Sequence, residues 1–486
     1  MESVSGKLDA KRVLQERLLS RSHAPVRRHN PIPRHTWDGP VPLSWYQDQV
    51  LRHAQLARRL APGSLLYNES ITIHRHGAVH LPALEYSLTE ILRRHEAWRT
   101  TFHSVDDQLV QIVHPAWDIT VPVVDLRNVP QNDRESLSLQ IASEDLRRPF
   151  DLEQGPLFRL KLVRLQEDEY RLFVAAHQII LDGVSVYHVL LPELMMLYAA
   201  HSSGHLKSIT GPSIQCADFG QWQKSWQTEA VLTEQFDYWQ KQLQGLPQLR
   251  LPTDRVRPSV QTFRGAIRPF ALSTKLSEDL RGISRRENVT LFVTMLAAFL
   301  ILLYCYTGEP DIVLGTVAPT RSRSEIQHLL GYFLNPVVLR VPLYGDPSFS
   351  ALLRVTRTVV LEALSHSEAP FHLLVDRLSL APDLSRSPLY QVQFSLEPPM
   401  PALEEGWDLT PMDVESGGAK LDLYLVVDDR PKGIIGRVQY NPDLFERATV
   451  EQMIRHYGGV LEVITSNAQP KLSEFPELLL GKNLVS

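Results

Sequence analysis

The sequence contains little cysteine and has no surplus of positive charge. Its two cysteines, Cys216 and Cys305, cannot form a disulfide framework and lack the spacing of a metal site, so we expect a reducing, cytoplasmic location. Lys and Arg number 50 against 55 Asp and Glu, and the resulting net charge of −5 argues against nucleic acid as a partner. The polar, charged N-terminus also lacks the apolar stretch of a signal peptide.

The sequence also has no uncharged run that is long enough to cross a membrane. Its longest candidate, residues 291–306, falls short of the roughly 20 residues that a membrane-spanning helix needs. A turn and a strand-like segment, TGEPDIVLG, follow directly. We therefore predict a helix buried on all sides and no association with a membrane.

Motifs for nucleotides and metals are missing as well. The chain has neither a GxGxxG pattern nor a P-loop, so a bound nucleotide is not expected. His74, His76 and His80 lie close together, but no carboxylate or cysteine accompanies them at metal-ligand spacing. We expect no metal site.

The composition is that of a folded protein with more than one unit. Apolar residues make up 43% of the 486 residues and charged residues 22%, enough to bury a core. At roughly 150 residues per domain, this length suggests two to three units. The best internal boundary is a stretch of small residues near position 205. We predict an N-terminal linker (1–40), two mixed α/β lobes (41–205 and 206–475) and a C-terminal tail (476–486), with a ligand cleft between the lobes.

Hydrophobic periodicity alternates between that of helices and that of strands. Helices are predicted over residues 44–60, 81–94, 132–146, 184–200, 217–243, 276–287, 291–306, 348–365 and 448–465. Strands are predicted over residues 67–74, 158–165, 170–176, 311–317, 333–341, 390–396, 421–427 and 434–440.

One segment stands out as a candidate for chemistry. The strand over residues 170–176 leads through His177 to an Asp182-Gly183 turn, and a long helix follows. His177 would thus lie at the C-terminal end of a strand, where side chains reach a cleft. Taken alone, the segment rather favours a hydrogen-bonded core histidine and a structural Asp-Gly turn.

Seven segments, in order, resemble the motifs of the condensation domains of nonribosomal peptide synthetases. The clearest is RHEAWRTTF, residues 94–102, which closely resembles the family motif RHExLRTxF. HQIILDG, residues 177–183, occupies the place of HHxxxDG. The other five are residues 42–51, 216–222, 330–340, 366–372 and 383–389. Because they cover nearly the whole globular part in the right order, the resemblance is specific.

The resemblance implies a fold and a reaction. The fold is that of chloramphenicol acetyltransferase, with two similar lobes in a V shape and a tunnel between them. A donor acyl thioester and an acceptor amine arrive on the phosphopantetheine arms of upstream and downstream carrier proteins, and an amide bond joins them. The implied partners are those carriers and a neighbouring adenylation domain. No bound cofactor is implied, and the domain would be monomeric.

The resemblance also implies which residues form the site. His177, Gln178, Asp182 and Gly183 occupy the catalytic motif, with Gly183 letting the thioester arm pass close to the backbone. The four tunnel residues implied by the other motifs are Ser44, Gln47, Asn335 and Ser385.

Asp182 is implied to form a buried ion pair rather than to act on substrate. Its expected partner is Arg321, with Arg323 as the second choice.

Gln178 stands where the family has its catalytic histidine. Counting back from Asp182-Gly183, the first histidine of the motif is His177 and the second position holds Gln178. Neighbouring side chains of an extended segment point to opposite sides, so we expect Gln178 to face the tunnel and His177 to hydrogen-bond within its own lobe. Glutamine cannot act as a general base, although it can donate and accept hydrogen bonds.

Three interpretations of Gln178 remain open. The domain condenses its substrates by orienting them, or it is a degenerate platform that docks carriers or recruits another enzyme, or Gln178 was introduced to silence a normal enzyme. Tyr67-Asn68 and the region of Ser44 and Gln47 resemble subtypes with an L-aminoacyl acceptor. A linker helix over residues 7–20 would follow an upstream carrier or polyketide module, which suggests a polyketide or fatty acyl donor.

Overall fold

The computed structural model describes residues 31–481, apart from residues 38, 205–209, 382, 410–413 and 467–469. The predicted linker helix, the predicted lobe boundary near residue 205 and residues 482–486 of the predicted C-terminal tail lie outside the described residues. Residues 31–33 belong to one unit and are without regular secondary structure. The described residues from Arg34 onward form a second, compact unit, to which everything below refers.

The strands of this unit form three sheets. The strands are β1 (Val41–Pro42), β2 (Asn68–His76), β3 (Thr100–Val105), β4 (Gln108–Val113), β5 (Val123–Asp125), β6 (Phe158–Gln166), β7 (Glu169–His177), β8 (Ala266–Ala271), β9 (Asp311–Pro319), β10 (Leu334–Pro342), β11 (Val392–Leu396), β12 (Trp407–Leu409), β13 (Leu423–Arg430) and β14 (Gly433–Tyr440). In the described residues, a five-stranded sheet has the order β12-β2-β7-β6-β5 and a six-stranded sheet the order β10-β9-β11-β13-β14-β8. A small third sheet has the order β1-β4-β3.

Helices are interspersed with the strands along the chain. They are α1 (Trp45–Leu60), α2 (Leu81–Arg94), α3 (Gln131–Leu146), α4 (Leu191–Ser202), α5 (Cys216–Trp226), α6 (Glu229–Gln242), α7 (Thr274–Arg286), α8 (Leu291–Thr307), α9 (Ser324–Gln327), α10 (Phe349–Ser365), α11 (Phe371–Leu378), α12 (Arg447–Thr465) and α13 (Phe475–Gly481). A short 3₁₀ turn, Gln178–Ile180, and a π-helical turn, Ser185–Leu190, precede α4.

The uncharged segment forms a central helix of the second sheet's core, as predicted. Helix α8 is buried continuously from Val293 to Leu303, and Phe299 packs against Phe394 of the central strand β11. In the described part of the chain, no single helix is long and apolar enough to cross a membrane. Helices α7 and α8 reach the length and apolarity of a membrane span only when they are counted together, and the chain bends by 106° between them.

One predicted helix was wrong, and one hairpin was missed. The helix predicted over residues 217–243 is divided into α5 and α6, because Thr228 starts a new helix with extended backbone angles. The hairpin β3–β4 was not predicted. Asp106 and Asp107 form its turn with positive φ angles of 48° and 60°, as a two-residue hairpin turn of this type requires.

One strand crosses from the C-terminal half into the first sheet. Strand β12 pairs antiparallel with β2 and places Trp407 opposite Arg75, with the guanidinium carbon 5.1 Å from the indole centroid. The first sheet is therefore completed by residues from the far half of the chain. This crossing ties the two halves of the chain together at the end of β2 that pairs with the start of β7.

Candidate active site

His177 ends strand β7 and points into its own sheet's core. Its side chain is only 6% exposed and lies between the rings of Tyr67 and Phe150, at centroid distances of 5.6 and 6.4 Å. The Nδ1 atom accepts a hydrogen bond from the backbone N–H of Ile179, at 3.3 Å. Burial, with the nearby charge of Lys420, lowers the pKa of the imidazole to about 3. His177 is therefore neutral and holds the 3₁₀ turn in shape.

Gln178 contacts Lys420, a residue that the sequence did not indicate. It is half-buried, and its backbone N–H donates to the carbonyl of Tyr67 at 2.8 Å. Its side-chain Oε1 accepts a hydrogen bond from Nζ of Lys420. A protonated lysine amine donates hydrogen bonds and accepts none, which agrees with the Gln178 side-chain oxygen facing the Lys420 nitrogen.

Asp182 and Arg321 form a buried ion pair across the two halves of the chain. Asp182 Oδ1 lies 3.0 Å from Arg321 Nη2, and Oδ1 and Oδ2 also accept from the backbone N–H groups of Ser185 and Phe333. Arg321 donates further to the carbonyls of Ile326 and Leu329 at 2.6 and 2.8 Å. The Asp182 carboxylate is thus fully engaged within the chain.

The second-choice partner, Arg323, pairs with Glu325 instead of Asp182. Its guanidinium carbon lies 4.8 Å from the centroid of the Trp222 ring. Arg321 is therefore the arginine that meets Asp182.

Gly183 lies against a carboxyl group. A Cβ atom at this position would come within 2.8 Å of Glu397 Oε2 and 3.2 Å of Pro398 Cδ. Burial raises the pKa of Glu397 to about 7. The missing side chain at Gly183 therefore leaves room for the end of a half-buried carboxyl next to the motif.

Replacing Gly183 with alanine is expected to change the site more than the stability. The new methyl group would push on the flexible end of Glu397, so the free energy of unfolding should stay within about 1 kcal/mol of native. The rate of product formation should fall because Glu397 and the adjoining turn move. Thermal unfolding and transfer kinetics on the same preparation check this, and a large loss of stability would contradict it.

Three of the residues expected along the tunnel have structural uses here. Ser44 and Gln47 are buried and cap helix α1 reciprocally. Ser44 Oγ accepts from the backbone N–H of Gln47 at 3.1 Å, and Gln47 Oε1 accepts from the backbone N–H of Ser44 at 3.0 Å. Asn335 is 1% exposed; its amide nitrogen donates to the carbonyls of Ser367 and Ala369 and its oxygen accepts from the N–H of Phe371. These side chains fix the elements around the site.

Ser385 is half-buried and holds a local turn, because its hydroxyl donates to Asp383 at 2.6 Å. Its contact with substrate stays a prediction. In the described residues, no group of three or more His, Cys, Asp or Glu side chains is placed to hold a metal ion.

The fold and the motif together define a class. Residues 39–479 match the family model described as Condensation domain, and the chain belongs to that family. It is 40% identical over 451 residues to a linear gramicidin synthase of Brevibacillus parabrevis, covering 92% of this chain and 6% of that protein. It is 35% identical over 454 residues to phosphinothricin tripeptide synthetase PhsC of Streptomyces viridochromogenes, covering 91% of this chain and 40% of that protein.

Solved structures give the same result for the fold. The X-domain from teicoplanin biosynthesis matches with a TM-score of 0.75 at 25% identity, over 91% of this chain and 99% of that one. The starter condensation domain of rhizomide synthetase matches with a TM-score of 0.78 at 23% identity, over 89% and 96%. The predicted fold class, the chloramphenicol-acetyltransferase-like α/β fold, is thereby confirmed. The chain spans only a small part of the length of the gramicidin synthase that it matches.

Proposed function

We propose that this chain forms amide bonds as a condensation domain of a nonribosomal peptide synthetase. A carrier-bound acyl or peptidyl thioester is the donor, and a carrier-bound aminoacyl group is the acceptor. The observation that carries the proposal is the motif turn itself. Its buried members His177 and Asp182 are held by internal hydrogen bonds, while Gln178 stays half-exposed beside Lys420.

The energetic balance supports turnover without an imidazole at position 178. A general base contributes about 10²–10⁴-fold, which equals roughly 2.7–5.5 kcal/mol. Holding two tethered reactants in line contributes about 7–11 kcal/mol. An α-amine has a pKa near 8, so part of the acceptor is already neutral. Positioning is the larger contribution, and Gln178 can still supply hydrogen bonds.

The substrates would be delivered on phosphopantetheine arms. The partners we propose are an upstream and a downstream carrier protein and a neighbouring adenylation domain, in a cytoplasmic synthetase, with no cofactor resident in this domain. The test mixes the purified chain with a donor-loaded and an acceptor-loaded carrier and follows the acceptor carrier by mass spectrometry. We expect the amide product to stay on the acceptor carrier. If the chain forms no product with any donor, the proposal fails.

The acceptor should be an L-aminoacyl group and the donor a polyketide, fatty acyl or peptidyl group. This prediction comes from the resemblance of Tyr67, Asn68 and the start of α1 to that subtype. In the structure, Asn68 is buried and its amide donates to the carbonyl of Leu146 at 2.6 Å. Competition assays measure the two preferences: D-aminoacyl against L-aminoacyl acceptors, and acyl against aminoacyl donors. Equal use of all of them would contradict the subtype.

A second candidate function is a platform that recruits another enzyme. The absence of a histidine at position 178 favours it, and so does a structural relative. The X-domain of teicoplanin biosynthesis, solved as a complex with OxyB, matches this chain with a TM-score of 0.75 at 25% identity. Binding of carriers without any transfer, both in the native chain and in Gln178→His, would support this candidate over condensation.

A further inference from the structure

Lys420 is brought to the centre of the motif from the opposite half of the chain. It lies 242 positions after Gln178 and donates from Nζ to the Gln178 oxygen. Its nitrogen also lies 4.3 Å from the centroid of the Tyr67 ring. A lysine amine therefore sits next to the position at which the family carries an imidazole.

The backbone that carries Lys420 is firmly held. The carbonyl of Gly418 accepts from the Gln439 side chain at 2.8 Å, and the carbonyl of Lys420 accepts from Gln261 at 2.9 Å. Gly418 lies so close to the segment before β2 that a Cβ atom would come within 2.4 Å of the Leu65 carbonyl oxygen. These contacts fix the backbone of Lys420, from which the side chain extends to Gln178.

The charges that face Lys420 come from several elements. Burial lowers the pKa of Lys420 to about 8, the Glu69 carboxylate of β2 acts against this shift, and Arg437 of β14 adds to it. Arg437 Nη2 lies 3.6 Å from Glu69 Oε2, so these two groups also pair with each other.

The two histidines beside Lys420 do not compete with it for protons. Burial and the charge of Lys420 lower the pKa of His53 to about 4, and that of His177 to about 3. Both imidazoles stay neutral at the pH at which Lys420 titrates. With a pKa of about 8, the Lys420 amine has a proton affinity close to that of an α-amine.

We propose that Lys420 is a catalytic residue that accepts the proton of the attacking amine, in the place of the missing imidazole. The proposal rests on the condensation activity proposed above. Gln178 then serves as the positioning residue that orients the lysine nitrogen. Acyl transfer with an amine needs such an acceptor, because the nitrogen loses a proton when it becomes an amide.

The step balances without any further reactant. The amine nitrogen bonds to the thioester carbonyl carbon, the π electron pair moves to the oxygen, and neutral Lys420 takes the proton from the nitrogen. When the tetrahedral adduct collapses, the carbon–sulfur bond breaks and the Lys420 ammonium returns the proton to the leaving thiolate. One thioester and one amine give one amide and one thiol, and the lysine is regenerated.

The test compares the native chain with Lys420→Arg and Lys420→Met in single-turnover transfer between loaded carriers. Arginine keeps the positive charge and the hydrogen bond to Gln178 but does not lose its proton. Both variants should transfer about 10²–10⁴-fold more slowly. Lys432→Met is the matched control and should keep the native rate, because its side chain is 95% exposed on a turn between β13 and β14.

The pH dependence gives an independent readout. The native rate should rise as the pH increases through about 8, because the neutral lysine is the active form. Lys420→Arg, assayed with the same acceptor, should show a shallower rise, because only the ionisation of the acceptor amine remains. Parallel pH profiles, or a native rate in Lys420→Arg, would overturn the proposal.

Three outcomes separate the possible failures. A loss of rate in Glu397→Gln together with a native rate in folded Lys420→Met would overturn the proposal and assign the proton transfer to Glu397. If the native chain forms no amide at all, the proposed condensation activity fails and this inference fails with it. If the native chain is active and Lys420→Arg is equally active, only the inference fails.

Discussion

Replacing Asp182 with alanine should lower the free energy of unfolding by about 3–5 kcal/mol, because one partner of a buried ion pair is removed. The Arg321 charge would stay buried, since its side chain is only 5% exposed. The N–H groups of Ser185 and Phe333 would lose their acceptors as well. Urea unfolding followed by tryptophan fluorescence measures the change.

A matched control is available on the surface. Asp125 pairs with Arg127 where both side chains are 40% exposed, and Asp125→Ala should leave the unfolding midpoint unchanged because exposed pairs contribute little. Asp182→Asn should be milder than Asp182→Ala, because its side-chain oxygen still accepts one of the hydrogen bonds. An Asp182→Ala variant that is fully stable but inactive would assign Asp182 a chemical role instead.

Replacing His177 with alanine should destabilise the protein, whereas Gln178→Ala should not. The imidazole fills the space between Tyr67 and Phe150 and caps the 3₁₀ turn. Its removal leaves a cavity and an unpaired N–H group, at a cost of about 2–4 kcal/mol. Gln178 is half-buried, so truncating it should leave the unfolding midpoint near the native value.

The two variants should differ in transfer kinetics as well. Gln178→Ala should transfer more slowly at native stability, because Lys420 loses the acceptor that orients it. Hydrogen exchange of residues 177–183 should increase in His177→Ala and not in Gln178→Ala. A stable His177→Ala variant with an unfolded Gln178→Ala variant would mean that the motif register is shifted by one residue.

The elements with strong local patterns were predictable from the sequence. The run in helix α8 was correctly expected to be a buried helix, because it is too short for a membrane and a turn follows it directly. Strands β7 and β9 follow from continuous apolar runs. The hairpin β3–β4 was missed because its strands are polar on the exposed side and the turn uses Asp-Asp instead of a glycine pair.

The sequence determined the part of the site that is contiguous, and the tertiary structure decided the rest. His177, Gln178, Asp182 and Gly183 lie within one seven-residue segment, so the sequence places them together. The alternation expected of an extended chain ends at His177, because Gln178–Ile180 form a 3₁₀ turn. The partner of Gln178 comes from 242 positions away, and β12 completes a sheet of the first half. No periodic pattern of hydrophobic residues along the sequence predicts such long-range pairings. They arise from how the two halves pack, which brings a lysine to the position where the sequence shows only the loss of a histidine.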